Sequence, residues 1–267
     1  VIATGNDEYS EQLAEQIAQF IIDADRNSAR SLQRSLGPSE AGEPCERQLT
    51  YKMLGVAESN TERDPIAAII GTGFHMWMAQ AFERRQTSMT GGEPRYLIEE
   101  RVTVRDDMAG TADLYDRAAA LNNDWKLVGV SSLDRYRRQG PGPKYRVQGH
   151  IYGMGQENAG RKPARVAITF IARHHELQVH VWSEPYDRQI AVDALARLDR
   201  IREQATALDL AANPDSWALI PIADEPTCVW CPWLKPGSDD LAQGCPGKPD
   251  PNPGASFEAL IAKEPTP

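Results

Sequence analysis

GTADLYDRAAALNNDWKLVG, residues 110–129, is the most informative part of the chain. It reads as two short strands of a meander, AGTADLYD over 109–116 and NNDWKLVGVS over 122–131. Both are bounded by Gly, Asp and Asn turn signals. Each strand carries an acid, Asp113 on the first and Asp124 on the second. Lys126 follows Asp124 by two residues, and the strand period of two puts both side chains on one face.

Working outward, YLIEERVTV (96–104) reads as a third strand ahead of this pair. Before it, DPIAAIIGTGFHMWMAQAFERRQ (64–86) predicts a helix, with Asp64 as N-cap and Pro65 in the first helical position. Leu13, Ile17, Phe20 and Ile21 recur at helical spacing and predict an amphipathic helix over 7–35. GPSEAGEP breaks it, and CERQLTYKMLG forms a short helix ending at Gly55. Beyond the meander, an Arg-, Gly- and Pro-rich loop (134–143) leads into a helix over 144–158. ARVAITFIAR (164–173) and ELQVHVWS (176–183) form a hairpin across His174 and His175, followed by a helix over 186–212. The tail from 213 has little periodicity. The class is therefore α/β: helix, three strands, helix, two strands, helix. The expected organisation is one compact unit with an N-terminal helical region (1–63), a core (64–212) and a cysteine-containing C-terminal region (213–267).

The bulk numbers are those of a globular chain. Of 267 residues, 41% are hydrophobic and 25% charged. No apolar run is long enough to span a bilayer, and no membrane partner is expected. VIATGNDEYSEQ lacks the basic and apolar regions of a secretory signal, which makes the cytoplasm the expected compartment. The net charge of −9 argues against a protein that coats nucleic acid non-specifically. Residues 135–165 differ, with eight Lys or Arg against the single acid Glu157. Arg135, Arg137, Arg138, Lys144 and Arg146 are the candidate phosphate-gripping residues of this segment.

Two carboxylates and a lysine on neighbouring strands suit a divalent-cation site that cleaves phosphodiesters. Mg²⁺ or Mn²⁺ would neutralise charge on the phosphate and activate a water, and hard cations take carboxylate oxygens. Asp113, Asp124 and the Trp125 carbonyl are the candidate oxygen ligands. His75, on the helix before the strands, adds a nitrogen that favours Mn²⁺ over Mg²⁺. Lys126 would offset charge in the transition state. Of seven lysines, Lys126 alone has an acid two positions before it, which separates this match from a chance one.

All four cysteines lie outside this block. Cys228 and Cys231 form a CxxC, Cys245 follows after thirteen intervening residues, and Cys45 lies far upstream. Disulfides do not suit a chain without a secretory signal. The spacing leaves a structural zinc site of four thiolates and a [4Fe–4S] cluster both open.

The order of these motifs resembles the PD-(D/E)xK nuclease superfamily, in its RecB-like iron–sulfur exonuclease branch. That branch holds the CRISPR-associated adaptation exonucleases and related phage enzymes. The resemblance rests on His75, on Gly110 to Asp113 (GTAD), on Asp124 to Lys126 (DWK), and on Gln148 to Tyr152 (QGHIY), over roughly residues 37–250. It is nearest to the phage members, in SLDRYRRQGPGPKYRVQGHIYG. It implies a restriction-endonuclease-like core with a central mixed sheet flanked by helices. It implies catalytic roles for Asp113, Asp124, Lys126, Gln148 and Tyr152, the last two sharing a helix face. It also implies that Cys45, Cys228, Cys231 and Cys245 hold a [4Fe–4S] cluster that joins the two ends of the chain. The implied activity is a metal-dependent DNA exonuclease on single strands or ends, 5′ to 3′, with a recombination or integrase partner. A phage-encoded enzyme would act in the host cytoplasm. Two rivals remain: a non-catalytic zinc- or cluster-containing nucleic-acid-binding protein, and a nuclease accessory to CRISPR spacer acquisition.

Overall fold

The computed structural model describes residues 8–28, 35–60, 65–223 and 228–248. Among these residues six α-helices and five strands follow in the order α1 (Glu8–Arg26), α2 (Glu46–Met53), α3 (Ile66–Arg84), β1 (Tyr96–Arg105), β2 (Met108–Asp116), β3 (Leu121–Val128), α4 (Val130–Gln139), α5 (Gly142–Asn158), β4 (Arg165–Ala172), β5 (Val179–Pro185) and α6 (Arg188–Ala207). The strands line up in chain order in one sheet. β1–β2 and β2–β3 pair antiparallel, as a meander must. β3 and β4 pair parallel, with α4 and α5 as the crossover, and β5 returns antiparallel on β4. The sheet is therefore mixed and flanked by helices.

Sequence chemistry accounts for these strand positions. β4 is buried at every residue but its first, so its apolar run VAITFIA suits a strand with neighbours on both sides. β5 alternates between exposed and half-buried residues, the pattern of an edge strand with one wet face. α5 is the helix that positions most of the site. Its residues 148–156 are all buried, and it packs against α6 and β1. Gly155 makes the β1 contact possible, because a Cβ there would lie 2.6 Å from Val102 Cγ2. The largest core cluster joins α5 and α6 to α2 through Leu49, Ile151, Met154, Leu195, Leu198 and Ile201.

The expected elements recur in order with one helix more, α4, and with differences at the boundaries. The stretch 134–143 is not a loop. Its first part belongs to helix α4, because Leu133 and Tyr136, one turn apart, pack on Phe170 and its neighbours. Arg135, Arg137 and Arg138 therefore project from a helix. β3 stops at Val128, since Gly129 is the N-cap of that helix, and the expected strand to 131 was three residues too long. The final helix runs from Arg188 to Ala207, capped by Asp187, whose side chain accepts the N–H of Gln189. α1 ends at Arg26. The expected continuation to 35 lies partly outside the described residues, and α3 begins at Ile66 with Pro65, not Asp64, as its N-cap.

Candidate metal and catalytic centre

Asp113, Asp124 and Lys126 meet where β2 and β3 part. The two strands pair up to Leu114↔Asn123, and the next rung would be Asp113 opposite Asp124. Instead the Asp113 carboxylate takes the place of a backbone acceptor: its Oδ2 receives the Trp125 N–H at 2.7 Å. Lys126 shares a face with Asp124, as the period of two requires, and its Nζ stands 2.5 Å from Asp124 Oδ2. The pair is buried, with Asp124 at 2% exposure. Burial pushes the Asp124 carboxyl above the usual carboxylate range, against the pull of the Lys126 ammonium. Three groups thus hold Asp124 together: β3 itself, Lys126, and the α5 side chain Gln148, whose Nε2 donates to Oδ1 at 2.6 Å.

Gln148 carries the more telling atom. Its side chain is 3% exposed, and its Oε1 has no hydrogen-bond partner. A buried unpaired acceptor costs about 1–3 kcal/mol. A bound cation, or water held by one, would satisfy it.

α3 lies on the other side. His75 Nδ1 is 3.2 Å from Asp113 Oδ1. Burial works to lower the imidazole pKa. The hydrogen bond to Asp113 and the charges of Asp113 and Asp124 outweigh it, and the net shift is upward. The Trp125 ring anchors β3 to α3 by stacking on Phe82 at 5.3 Å.

One residue of the centre was not foreseen. Glu99 of β1 falls opposite Asp113, between the pairs Ile98↔Leu114 and Glu100↔Ala112. His75, Glu99 and Asp113 each offer a ligand atom, and these atoms all lie within 4.8 Å of one another. Among the described residues, no such group includes Asp124. The expected ligand set of His75, Asp113 and Asp124 is thus not gathered at one point. Glu99 has φ +48, a left-handed backbone rare for a non-glycine residue in a strand. Burial, then the Asp113 charge, pushes its carboxyl up to about 7. The sequence signal was the doubled acid of Glu99–Glu100, which a plain alternation cannot assign.

The remaining candidates divide. Tyr152 packs with Val102 and Ala112, and its hydroxyl comes within 3.0 Å of where a side chain at Gly110 would begin. That approach, with Pro38 at 2.8 Å, explains the glycine of GTAD. Tyr145, one turn before Gln148, places its ring 5.0 Å from Lys126 Nζ, a cation–π contact. The basic segment is largely paired. Arg146 is held by Glu184 at 2.6 Å, Lys144 by Glu43 at 2.8 Å and Arg137 by Asp134 at 3.1 Å. Arg138 is exposed, and Arg135 lies over the Tyr136 ring.

The four cysteines converge although 183 residues separate Cys45 from Cys228 in numbering. Cys45, Cys228, Cys231 and Cys245 line one cavity with Arg47 and Tyr51, and all four are free thiols. Arg47 closes it by donating to the Ile220 carbonyl and, at 3.7 Å, to Cys245 Sγ. Burial pushes the Cys45 thiol up and the Cys231 thiol up to about 12. No three of these sulfurs lie within 4.8 Å of one another. Trp233 is buried against Tyr51, whereas Trp230 of the CxxC is 66% exposed and does not shield the thiols.

Comparison with known proteins gives limited likeness. No family model and no curated protein matches the chain. Among solved structures, the chain is similar to an alkaline exonuclease (LHK-Exo) from Laribacter hongkongensis. The TM-score is 0.45 at 12% identity, over 70% of this chain and 95% of that one. The same enzyme in complex with dAMP gives a TM-score of 0.42 at 13% identity, with the same coverage.

Proposed function

We propose that the chain is a metal-dependent DNA nuclease, acting as an exonuclease on single strands or DNA ends. The observation that carries the reading is the buried Lys126–Asp124 pair, braced by Gln148 and set one rung from Asp113. A buried ion pair is weak evidence of a purely structural role, because apolar residues of similar volume do as well or better. Here the pair stands beside a further carboxylate, a histidine and an orphan acceptor.

Asp113, Asp124 and the Trp125 carbonyl would hold a divalent cation, with His75 across Asp113. The cation would supply Lewis-acid stabilisation of the phosphate and an activated water. Lys126 keeps its ammonium beside Asp124 and offsets charge that builds on the phosphoryl oxygens. Tyr145 holds that ammonium from behind. Gln148 fixes the Asp124 carboxylate so that it does not rotate onto Lys126 alone. Arg135 and Arg138 on α4 are the basic residues best placed to hold the DNA backbone, since neither is in an ion pair with an acid among the described residues. Digestion from 5′ to 3′ and a role in phage recombination or replication follow from the family resemblance alone and are part of the proposal.

The cysteine cavity fits a thiolate-bound metal group. Zinc at 2.3 Å from each sulfur would set the sulfurs about 3.8 Å apart. The family resemblance implies the larger [4Fe–4S] cube, with zinc as the alternative. Its role would be structural: it joins the start of α2 to the C-terminal segment.

The test is digestion of linear DNA labelled at the 5′ or the 3′ end, with Mn²⁺, by wild type and Asp124→Asn. Mononucleotides released from one end by wild type only are the expected result. Cleavage that survives in Asp124→Asn, or intact DNA in both, would overturn the reading.

A further inference from the structure

Two helices keep an apolar side in water. No side chain of α1 is buried, and Tyr9, Leu13, Ile17 and Phe20 stand exposed along it. With Ala24 they form one stripe at helical spacing. α3 has two opposite sides. His75 and Phe82 turn to the sheet, where they meet Asp113 and the Tyr96 and Trp125 rings. Ile66, Ile70, Gly73 and Trp77 recur at steps of four, three and four on the other side. Ile66, Ile70 and Trp77 are exposed, and a Cβ at Gly73 would meet nothing within 4 Å. Single exposed apolar residues are ordinary, but two contiguous stripes mark an interaction surface.

We propose that α1 of one copy of this chain lies antiparallel on the outer side of α3 of a second copy, and that the exchange is reciprocal, giving a two-fold dimer.

The spacing matches in that direction. Leu13, Ile17, Phe20 and Ala24 also step by four, three and four. Helices running in opposite directions then set Leu13 against Trp77, Ile17 against Gly73, Phe20 against Ile70 and Ala24 against Ile66. Ile17 meets a bare glycine and Ala24 meets a large side chain, the large-against-small alternation of a packed seam. Both helices have 19 residues, so the seam runs along both for about 28 Å.

Charge agrees with the same direction. Glu8 and Glu11 of α1 come to the end of α3 that carries Arg84 and Arg85, which are exposed and have no ion pair among the described residues. Asp23 and Asp25 sit at the C-terminal end of α1, where its own dipole disfavours them and the N-terminus of an antiparallel α3 favours them. Two α1 helices paired with each other would instead set five acids and one arginine against the same set. That acidic helix does not suit an anionic membrane surface either. One chain leaves both stripes uncovered, and a second copy supplies both complements at once. Two seams also double the buried area towards the about 1,200 Å² of the smallest stable pairs.

The experiment is gel filtration with light scattering on the full chain as isolated, with thiols kept reduced, at rising concentration. Wild type is expected at twice the mass of the chain. The double variant Ile17→Asp, Phe20→Asp and the single variant Ile70→Asp should each run as one chain. All three side chains are exposed, so the fold should persist; an unchanged circular dichroism spectrum checks this. An equimolar mixture of the two variants should recover dimers at the higher concentrations, because one seam then joins an intact α1 to an intact α3. Wild type running as one chain throughout, free or bound to phosphatidylserine vesicles, would overturn the proposal. So would a dimer that either variant keeps, or a mixture that stays single chains.

Discussion

Lys126 is the residue on which the chemistry turns. Its ammonium is fixed by two contacts of different kinds, the Asp124 carboxylate and the Tyr145 ring. Removing one preorganised charge from such a centre costs about 10²–10³ in rate. Tyr145 offers a graded test of that fixing. Tyr145→Phe keeps the ring and should cleave within a few-fold of wild type, while Tyr145→Leu should lose cleavage at an unchanged KM. Equal activity of the two variants would remove Tyr145 from the account. Asp113, Asp124 and Lys126 were legible in the sequence because a strand's period of two is a strict rule. Glu99 was not, for two reasons. Its left-handed backbone departs from that rule, and its neighbour Asp113 is set by β1–β2 register, not by any local spacing.

At the scale of elements, α5 ties the layers together. Its fully buried His150 accepts the Asp187 N–H on Nδ1 and so presents Nε2–H to Glu184, 2.6 Å away. Arg146 grips the same carboxylate. Partial burial works to raise the Glu184 pKa, but the hydrogen bonds from Arg146 and His150 lower it overall. The sign follows: a depressed carboxylate stabilises above its unfolded value of 4.5, and the gain fades as pH falls through the folded value. Glu184→Gln should therefore lower Tm at pH 7 and progressively less below pH 4.5. A Tm difference independent of pH would contradict this. Gly155→Ala drives a methyl to 2.6 Å from Val102 Cγ2 and should destabilise by about 1–3 kcal/mol, read by urea unfolding. Long periodic helices and apolar strands such as β4 were legible in the sequence. α4 was not, because its arginines and the flanking Gly140–Pro141 read as loop, and only packing on Phe170 reveals its apolar side.

Over the whole molecule, the thiol cavity closes a loop that runs from Cys45 to Cys245. Tyr51 stacks on Trp217 at 4.4 Å and Trp233 packs beside it, in a second hydrophobic cluster that includes Cys245 and, at its margin, Cys231. The CxxC and its two distant partners were legible as a set; that they line one cavity is a tertiary fact, invisible to any count of intervening residues. Metal bound only in the folded state adds to stability. Stripping the proposed thiol-bound metal group with a chelator should lower Tm and soluble yield, and Cys231→Ser should do the same; an equal Tm with and without metal would contradict the clip. The account as a whole rests on Lys126 and its carboxylate partner being a reaction centre and not an internal brace. Degradation of single-stranded DNA in Mn²⁺ by wild type and by folded Lys126→Ala measures this most directly. The prediction is rapid loss of substrate with wild type and a rate at least about a hundred-fold lower in the variant; equal rates, with both proteins folded, would contradict it.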